Sequence, residues 1–541
     1  MSEGLIQNYE YIGAHIKEYF EDNKLFDTFE KEDIAKIMKF AILSTDDFRT
    51  ILEQAHSTND AKKLYFSTRY ANITIQNFED AISLLKSLKK YLKMKILDGV
   101  IDFFIQSEKE KSDLTKQIQN LQERLNTFQN QERNREIQTL IADLKNSNDF
   151  ESIYDFLNEL SSQGNKTMLS KACEEGLWKK LGAYNQNVLH EASRTGNLRL
   201  VKSLIECNCD KDIRDVTGHT PLILASYNGH LEVVQYLISI GANREAKTKD
   251  GFTPLIWASA QNRLEVVKYL VSAGANKEAM TNIGYTPLIW ASYNGHLGVV
   301  QYLISFGANK EAKTKDGFTP LIWASVQNRL EVVKYLVSVG ADKEAKTNDG
   351  FTPLLYASFK GLYEIVKYLE SAGANMEATT NDGNTPLIWA SSKGYFDVVK
   401  YLAFTGANKE AKNKEGYTPL LIASAGGNFD TVKYLFTYAY NKEVRTNKGL
   451  TALMIASANG HLEIVKYMEY HRANKEAKDN DGYTPLIWAI IQGRLEVVKH
   501  LAAVGANKYA KTKDGYTPLK MALHLNKYEI VRYLNLIGVE Q

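Results

Sequence analysis

The stretch TKDGFTPLIWASAQNRLEVVKYLVSAGANKEAM, residues 248–280, encodes two short helices and the turns that join them. Lys249-Asp250-Gly251 is a tight hairpin-like turn, its glycine free to take positive φ. Thr253-Pro254 is a helix start: the threonine hydroxyl caps, and proline sits where a missing N–H costs nothing. Leu255, Ile256, Ala258 and Ser259 continue that helix with small side chains that permit close stacking. Asn262 ends it, because asparagine, like glycine, tolerates a left-handed turn. The second helix runs from Leu264 through Val266, Val267 and Leu270, apolar at helical spacing, and Gly274 breaks it.

Working outward, the same phrase recurs in both directions. The capping threonines are Thr220, Thr253, Thr286, Thr319, Thr352, Thr385, Thr418, Thr451, Thr484 and Thr517. Their constant step is about 33 residues, a repeat period characteristic of stacked helix pairs. Asn187-Val188-Leu189-His190 opens a divergent first unit one period earlier, giving about eleven repeats over residues 183–541. Thr167-Met168-Leu169 with Ala172 reads as a degenerate half-repeat within 149–182. Residues 220–285 and 286–351 are near-copies, which points to duplication of a two-repeat block. In the last unit Lys520, His524, Asn526 and Lys527 roughen the outer face, as a terminal repeat requires.

On G-x-T-P-L, G-H-L-E-V-V and the closing G-A-N, the chain resembles the ankyrin-repeat family over about two thirds of its length. The resemblance implies an all-α solenoid of helix-turn-helix units with β-hairpin loops, preceded here by a small helical domain. It implies binding of other proteins through the concave face and hairpin tips. The family's T-P-L-H histidine survives only as His190; Ile223, Ile256, Ile289, Ile322 and Ile388 stand elsewhere, so apolar packing should replace its polar network. Trp257, Trp290, Trp323, Trp389 and Trp488 occupy a position the family fills with leucine, which implies core packing. Near-identical repeats behind a helical head are similar to the ankyrin families expanded in protists.

The residue before each T-P-L is often aromatic: Phe252, Tyr285, Phe318, Phe351, Tyr417, Tyr483 and Tyr516. Tyr227, Tyr293 and Phe359 add rings at the end of the first helix. Stacking aligns these ten into a ladder, which either meets a partner or packs on neighbouring hairpins. A lysine column (Lys268, Lys334, Lys367, Lys400, Lys433, Lys466, Lys499) invites a nucleic-acid reading. Glu265, Glu331, Glu364, Asp397, Asp430, Glu463 and Glu496 lie three residues earlier, however, so pairing within each helix is expected instead. Ala439 and Arg472 replace the glycine that follows the second helix, and Thr451-Ala452-Leu453 replaces T-P-L. Each non-glycine residue forced left-handed costs on the order of 1 kcal/mol, so residues 436–475 should be locally soft.

Residues 1–106 show helical periodicity without repeats, including an N-cap at Ser44-Thr45-Asp46-Asp47. A basic face at Lys86, Lys89, Lys90, Lys93 and Lys95 suits solvent or an acidic surface. Over 107–148 the composition turns polar, and Leu114, Ile118, Leu121, Leu125 and Phe128 alternate steps of four and three. That seam makes a helical linker or a short coiled coil through which weak self-association, via 114–128, would run.

A net charge of +2 gives no pull toward nucleic acid. Cys173, Cys207 and Cys209 are too few for a disulfide framework; Cys207-x-Cys209 lacks a second ligand pair, so no metal is expected. The opening residues carry no apolar signal core, and no run is long enough to span a membrane. The sequons at Asn72 and Asn165 are then irrelevant, and the expected location is the cytoplasm or the nucleus. Nucleotide-loop, nucleophile-elbow and zinc-hydrolase motifs are absent, so no catalytic residue, cofactor or enzyme activity is expected. The expected function is a scaffold or adaptor; the alternatives are a stoichiometric inhibitor and, through the basic helix, a membrane–cytoskeleton anchor.

Overall fold

The computed structural model of the chain describes the backbone from Met94 to Val539, nearly all side chains from Gln106 onward, and a few positions between Tyr9 and Ile37. Most of the all-α domain expected over 1–106, its Ser44–Asp47 cap and the side chains of the basic face at Lys86, Lys89, Lys90, Lys93 and Lys95 lie outside the described residues. The chain divides into two compact units, 1–136 and 137–541. The boundary falls inside α1, a 53-residue helix from Met94 to Asn146. In the first unit, the seam of α1 is open to solvent, with Leu121 59% exposed.

The second unit is a solenoid. After the end of α1 come α2 (Phe150–Ser162) and α3 (Lys166–Glu174), capped by Asp149 and Asn165, whose side chains accept from Ser152 N and Met168 N. Repeat 1 is formed by α4 (Val188–Thr195) and α5 (Leu198–Glu206). Ten further helix pairs follow at the same period, ending with Pro518–His524 and Tyr528–Leu536. Within each pair the first helix packs on its counterparts in the repeats before and after. We call these the inner helices and their partners the outer helices.

The capping logic holds without exception. Thr253, Thr286, Thr319 and their equivalents are extended, and each accepts from the N–H three residues on. Thr451 does so too, although alanine replaces the proline beside it. Asn262 and Asn328 take φ 58°, the left-handed conformation predicted for Asn262. Leu255, Ala258, Val266, Val267 and Leu270, with their equivalents, form one continuous core along the solenoid, and Ile256 is fully buried as well. Fully burying each such Leu, Ile or Val side chain is worth roughly 1.5–3 kcal/mol, and no repeat could bury its own without neighbours.

Two inter-repeat ladders fix the register. At the hairpin tips, backbone bonds such as Asn282 N–H to Asp250 O (2.9 Å) and Asn348 N–H to Asp316 O (3.0 Å) join successive turns. Among the described residues these hairpins contain no regular strand, so the β-hairpin loops are turns tied by single bonds. After each outer helix, a carboxylate accepts from the backbone of the next repeat: Glu278 from Asn309 N (2.9 Å), Glu344 from Asn375 N (2.8 Å), Glu377 from Asn408 N (2.8 Å). Glu443 and Glu476 resume it with Asn474 and Asn507. Glu410 and Asn441 make no such bond. Ala439 is the reason: expected to be left-handed, it is extended at φ −69°, ψ 135°. The chain thereby avoids strain at Ala439 and gives up the inter-repeat contact. Arg472 does take the left-handed conformation, at φ 64°.

His190 behaves as expected for the one retained histidine. Its Nε2–H donates to the carbonyls of Ile213 and His219, both at 3.1 Å, and burial holds the imidazole below its usual range. Ile256, Ile289 and Ile322 are fully buried in its place. In the last repeat Lys520, His524 and Asn526 are exposed and Lys527 is half-buried.

Candidate protein-binding surface

Seven of the ten predicted rings come together, and they do so around side chains assigned above to the core. Phe252 stacks on Trp257 of its own repeat (4.3 Å between centroids, 22°) and reaches Trp290 of the next (5.4 Å). Tyr285 meets Trp290 and Trp323 in the same way, at 4.9 and 5.6 Å. Phe318 stacks on Trp323 (4.4 Å) and reaches Tyr356 (5.4 Å). Phe351 stacks on Tyr356 (4.4 Å) and reaches Trp389 (5.7 Å). Tyr227, Tyr293 and Phe359 stand edge-on to Trp257, Trp323 and Trp389, each at 5.0 Å. The result is an unbroken ribbon along the inner helices of repeats 2–7, with most rings half-buried.

The core assignment of the tryptophans is therefore corrected: Trp257, Trp290, Trp323, Trp389 and Trp488 are all half-buried. Leucine at this position is small enough to be absorbed by the stack, whereas an indole extends past it onto the surface. The sequence signal was available, since these tryptophans lie four residues after each capping threonine. The indole nitrogens of Trp257, Trp290, Trp323 and Trp389 are buried without a partner. Trp488 shows what they lack: its Nε1–H donates to Asp479 Oδ2 at 2.9 Å. Thr248, Thr281, Thr314 and Thr380 occupy the equivalent position in the other four repeats.

Three predicted rings lie outside the ribbon. Ile422 and Ile455 stand where Tyr417 would find its indole partners. Tyr483 pairs with Trp488 (5.6 Å) and Tyr516 with His524 (5.3 Å), as separate contacts beyond the gap.

The outer helices carry a second aromatic surface, which sequence reading missed. Tyr363, Tyr401, Phe404 and Tyr434 line a cleft of about 610 Å³ across repeats 6–8, together with Asp397 and Lys400. Phe404 is 84% exposed where Ser239, Ser272, Ser305, Ser338 and Ser371 stand in earlier repeats. Tyr438 and Tyr440 extend the exposed rings past the broken rung, with Tyr440 91% exposed. The lysine column also changes here. Lys268, Lys334, Lys466 and Lys499 pair with Glu265, Glu331, Glu463 and Glu496 at 2.7–2.8 Å. Lys367, Lys400 and Lys433 do not pair with Glu364, Asp397 and Asp430. Asp397 and Asp430 are one methylene too short; nothing in the structure explains Lys367. Pairs this exposed contribute little either way.

The three cysteines meet at the junction of α3 and repeat 1. All are free; Cys173 and Cys209 are buried and Cys207 is half-buried. The Cys173 thiol is pushed far up by its hydrogen bond with Cys209 and by burial, and Cys207 rises to about 12, chiefly through burial. Thiols held protonated in this way are inert packing groups. Among the described residues no cluster of His, Cys, Asp and Glu is arranged to hold a metal ion.

A family model described as ankyrin repeats (3 copies) matches in five overlapping segments, 189–281, 273–347, 340–413, 404–479 and 469–540. The chain belongs to the ankyrin-repeat family. The match covers every repeat of the solenoid, including the irregular ones, and ankyrin repeats are in general protein–protein interaction modules. Ankyrin-repeat proteins are typically non-catalytic. No curated protein matches the chain. Among the described residues no helix is long and apolar enough to cross a membrane.

Proposed function

We propose that this ankyrin solenoid is a non-catalytic scaffold or adaptor that grips a partner protein on the ring ribbon of repeats 2–7. The observation that carries the reading is the ribbon's continuity. Stacked aromatic rings present large, rigid apolar area and lose little entropy on contact, which is why such rings dominate interface energetics. The cleft on the outer helices of repeats 6–8 favours an adaptor over a simple inhibitor, because it offers a second, separate surface for another protein. Weak self-association through the solvent-open seam of α1 and a cytoplasmic location belong to the same reading.

Capture from cell lysate tests it, with the full chain as bait beside a Phe318→Ala/Phe351→Ala variant. The reading expects specific partners that the double variant loses by tenfold or more while keeping its helical content. Equal capture by both baits refutes the ribbon as the gripping surface.

A further inference from the structure

One repeat before the ribbon begins lies a pocket of about 720 Å³, within the range of sites that enclose a ligand group. The repeat period places this pocket on the same track. Gln186, Glu191 and Arg194 of its lining are the repeat-1 counterparts of Phe252, Trp257 and Ala260. Its other wall is α2, which contributes Phe150 and Tyr154, and Tyr184 stands at its mouth, 76% exposed. Where the ribbon has rings, this end of the track therefore has rings and carboxylates together.

The carboxylates are not neutralised from within. Glu151 and Asp155 lie one turn apart on α2, both exposed, and neither makes an ion pair. Glu191 is taken by Arg194 through two bonds, at 2.8 and 2.6 Å, so Arg194 is unavailable to the other two. Farther along, the hairpin-tip carboxylates Asp316 and Asp349 also lack ion-pair partners. Of the hairpin lysines, Lys247 and Lys346 donate to the next repeat, at Met280 O and Thr379 O, while Lys249, Lys313 and Lys315 share the tips with such carboxylates. Beyond burial and neighbouring rings, the tip carboxylates are what raise Tyr285 and Tyr356. Further positive charge sits at the far ends of the inner helices, roughly 12 Å from the tips. There Arg263 and Arg329 hold the carbonyls of Tyr227 and Tyr293.

We propose that the pocket between α2 and the first inner helix takes a cationic side chain, arginine or lysine, of a partner segment that lies extended along the ribbon. The proposal rests on the ribbon being the docking face. An aromatic wall and two unpaired carboxylates suit a guanidinium or ammonium group, which gains ring-face attraction and charge together. An acidic segment would meet like charge at the pocket, from Glu151 and Asp155.

A random 12-residue peptide library, selected against the full chain, tests the inference. The expected result is enrichment of Arg or Lys over Asp and Glu. A synthetic peptide from the selection should bind Glu151→Gln/Asp155→Asn at least tenfold more weakly, and lose affinity as salt rises. Both replaced side chains are exposed, so the variant should melt within a degree or two of the parent. Selected peptides that lack basic residues, that bind the double variant unchanged, or that never enrich overturn the inference. Sensitivity of the same peptides to Phe318→Ala/Phe351→Ala judges the ribbon separately: loss there with indifference to Glu151 and Asp155 keeps the docking face and removes the cationic anchor.

Discussion

Repeats 2–5 and repeats 7–9 follow one plan with different outcomes. In the first group, T-P-L is intact, each outer helix ends at a glycine, and the carboxylate ladder is unbroken. Its rings line the inner helices. In the second, Asn384, Ile422 and Leu450 remove rings from the inner track, while Phe404, Tyr438, Tyr440 and Tyr470 place them on the outside. The one missing ladder rung, Glu410 to Asn441, falls in that second group. A solenoid whose core is set by a few buried positions per repeat can thus move its aromatic surface from one side to the other. The buried leucines and valines stay where they were.

The comparison can be broken most severely at Phe436. This ring is fully buried at a position occupied by Ala403 in the repeat before, and it fills the space beside the broken rung. Phe436→Ala should cost about 3–5 kcal/mol in a denaturant titration, the range for deleting a buried aromatic ring. A loss below about 1 kcal/mol would show that repeats 8 and 9 are not packed as described.

Two substitutions sharpen the comparison at the scale of about 1 kcal/mol. Arg472→Gly should stabilise by about that much, since glycine removes the cost of left-handed backbone at that residue. Thr314→Asp should stabilise by a similar ~1 kcal/mol, by giving the buried Trp323 nitrogen the acceptor that Asp479 gives Trp488. Thermal melts of the single variants check both; destabilisation by either contradicts its account. The smallest effect is expected at Ala439→Gly. Alanine is already in an ordinary extended conformation, so glycine adds only unfolded-state freedom and should destabilise by about 0.5 kcal/mol. If it stabilises as Arg472→Gly does, Ala439 is strained after all.

The period, the eleven helix pairs and the threonine caps could be read from the sequence because each rests on a local rule. Thr220 or Thr484 caps a helix whatever lies beyond it. The exposed track was only partly legible. The rings before T-P-L were found from position alone, but the tryptophans were assigned to the core because leucine belongs there in the family. An indole's extra size reverses that outcome, and size against a finite cavity is a tertiary quantity. Ala439 shows the same limit: the missing glycine was visible, whereas whether the chain would strain there or unwind and drop a rung is settled only in the packed structure. The outer cleft went unseen because Tyr363, Tyr401, Phe404 and Tyr434 are far apart in sequence and meet only when three repeats stack. The pocket between α2 and α4 is likewise not legible in the sequence, since α2 lies outside the periodic region.

Amide hydrogen exchange of the full chain, alone and with a captured partner, tests the central claim most directly. The account predicts slowed exchange in the inner helices and hairpins of 218–392, with residues 396–440 unchanged by a partner that the Phe318→Ala/Phe351→Ala variant loses. Protection confined to the outer helices of 363–440, with none along Phe252 to Trp389, would contradict it.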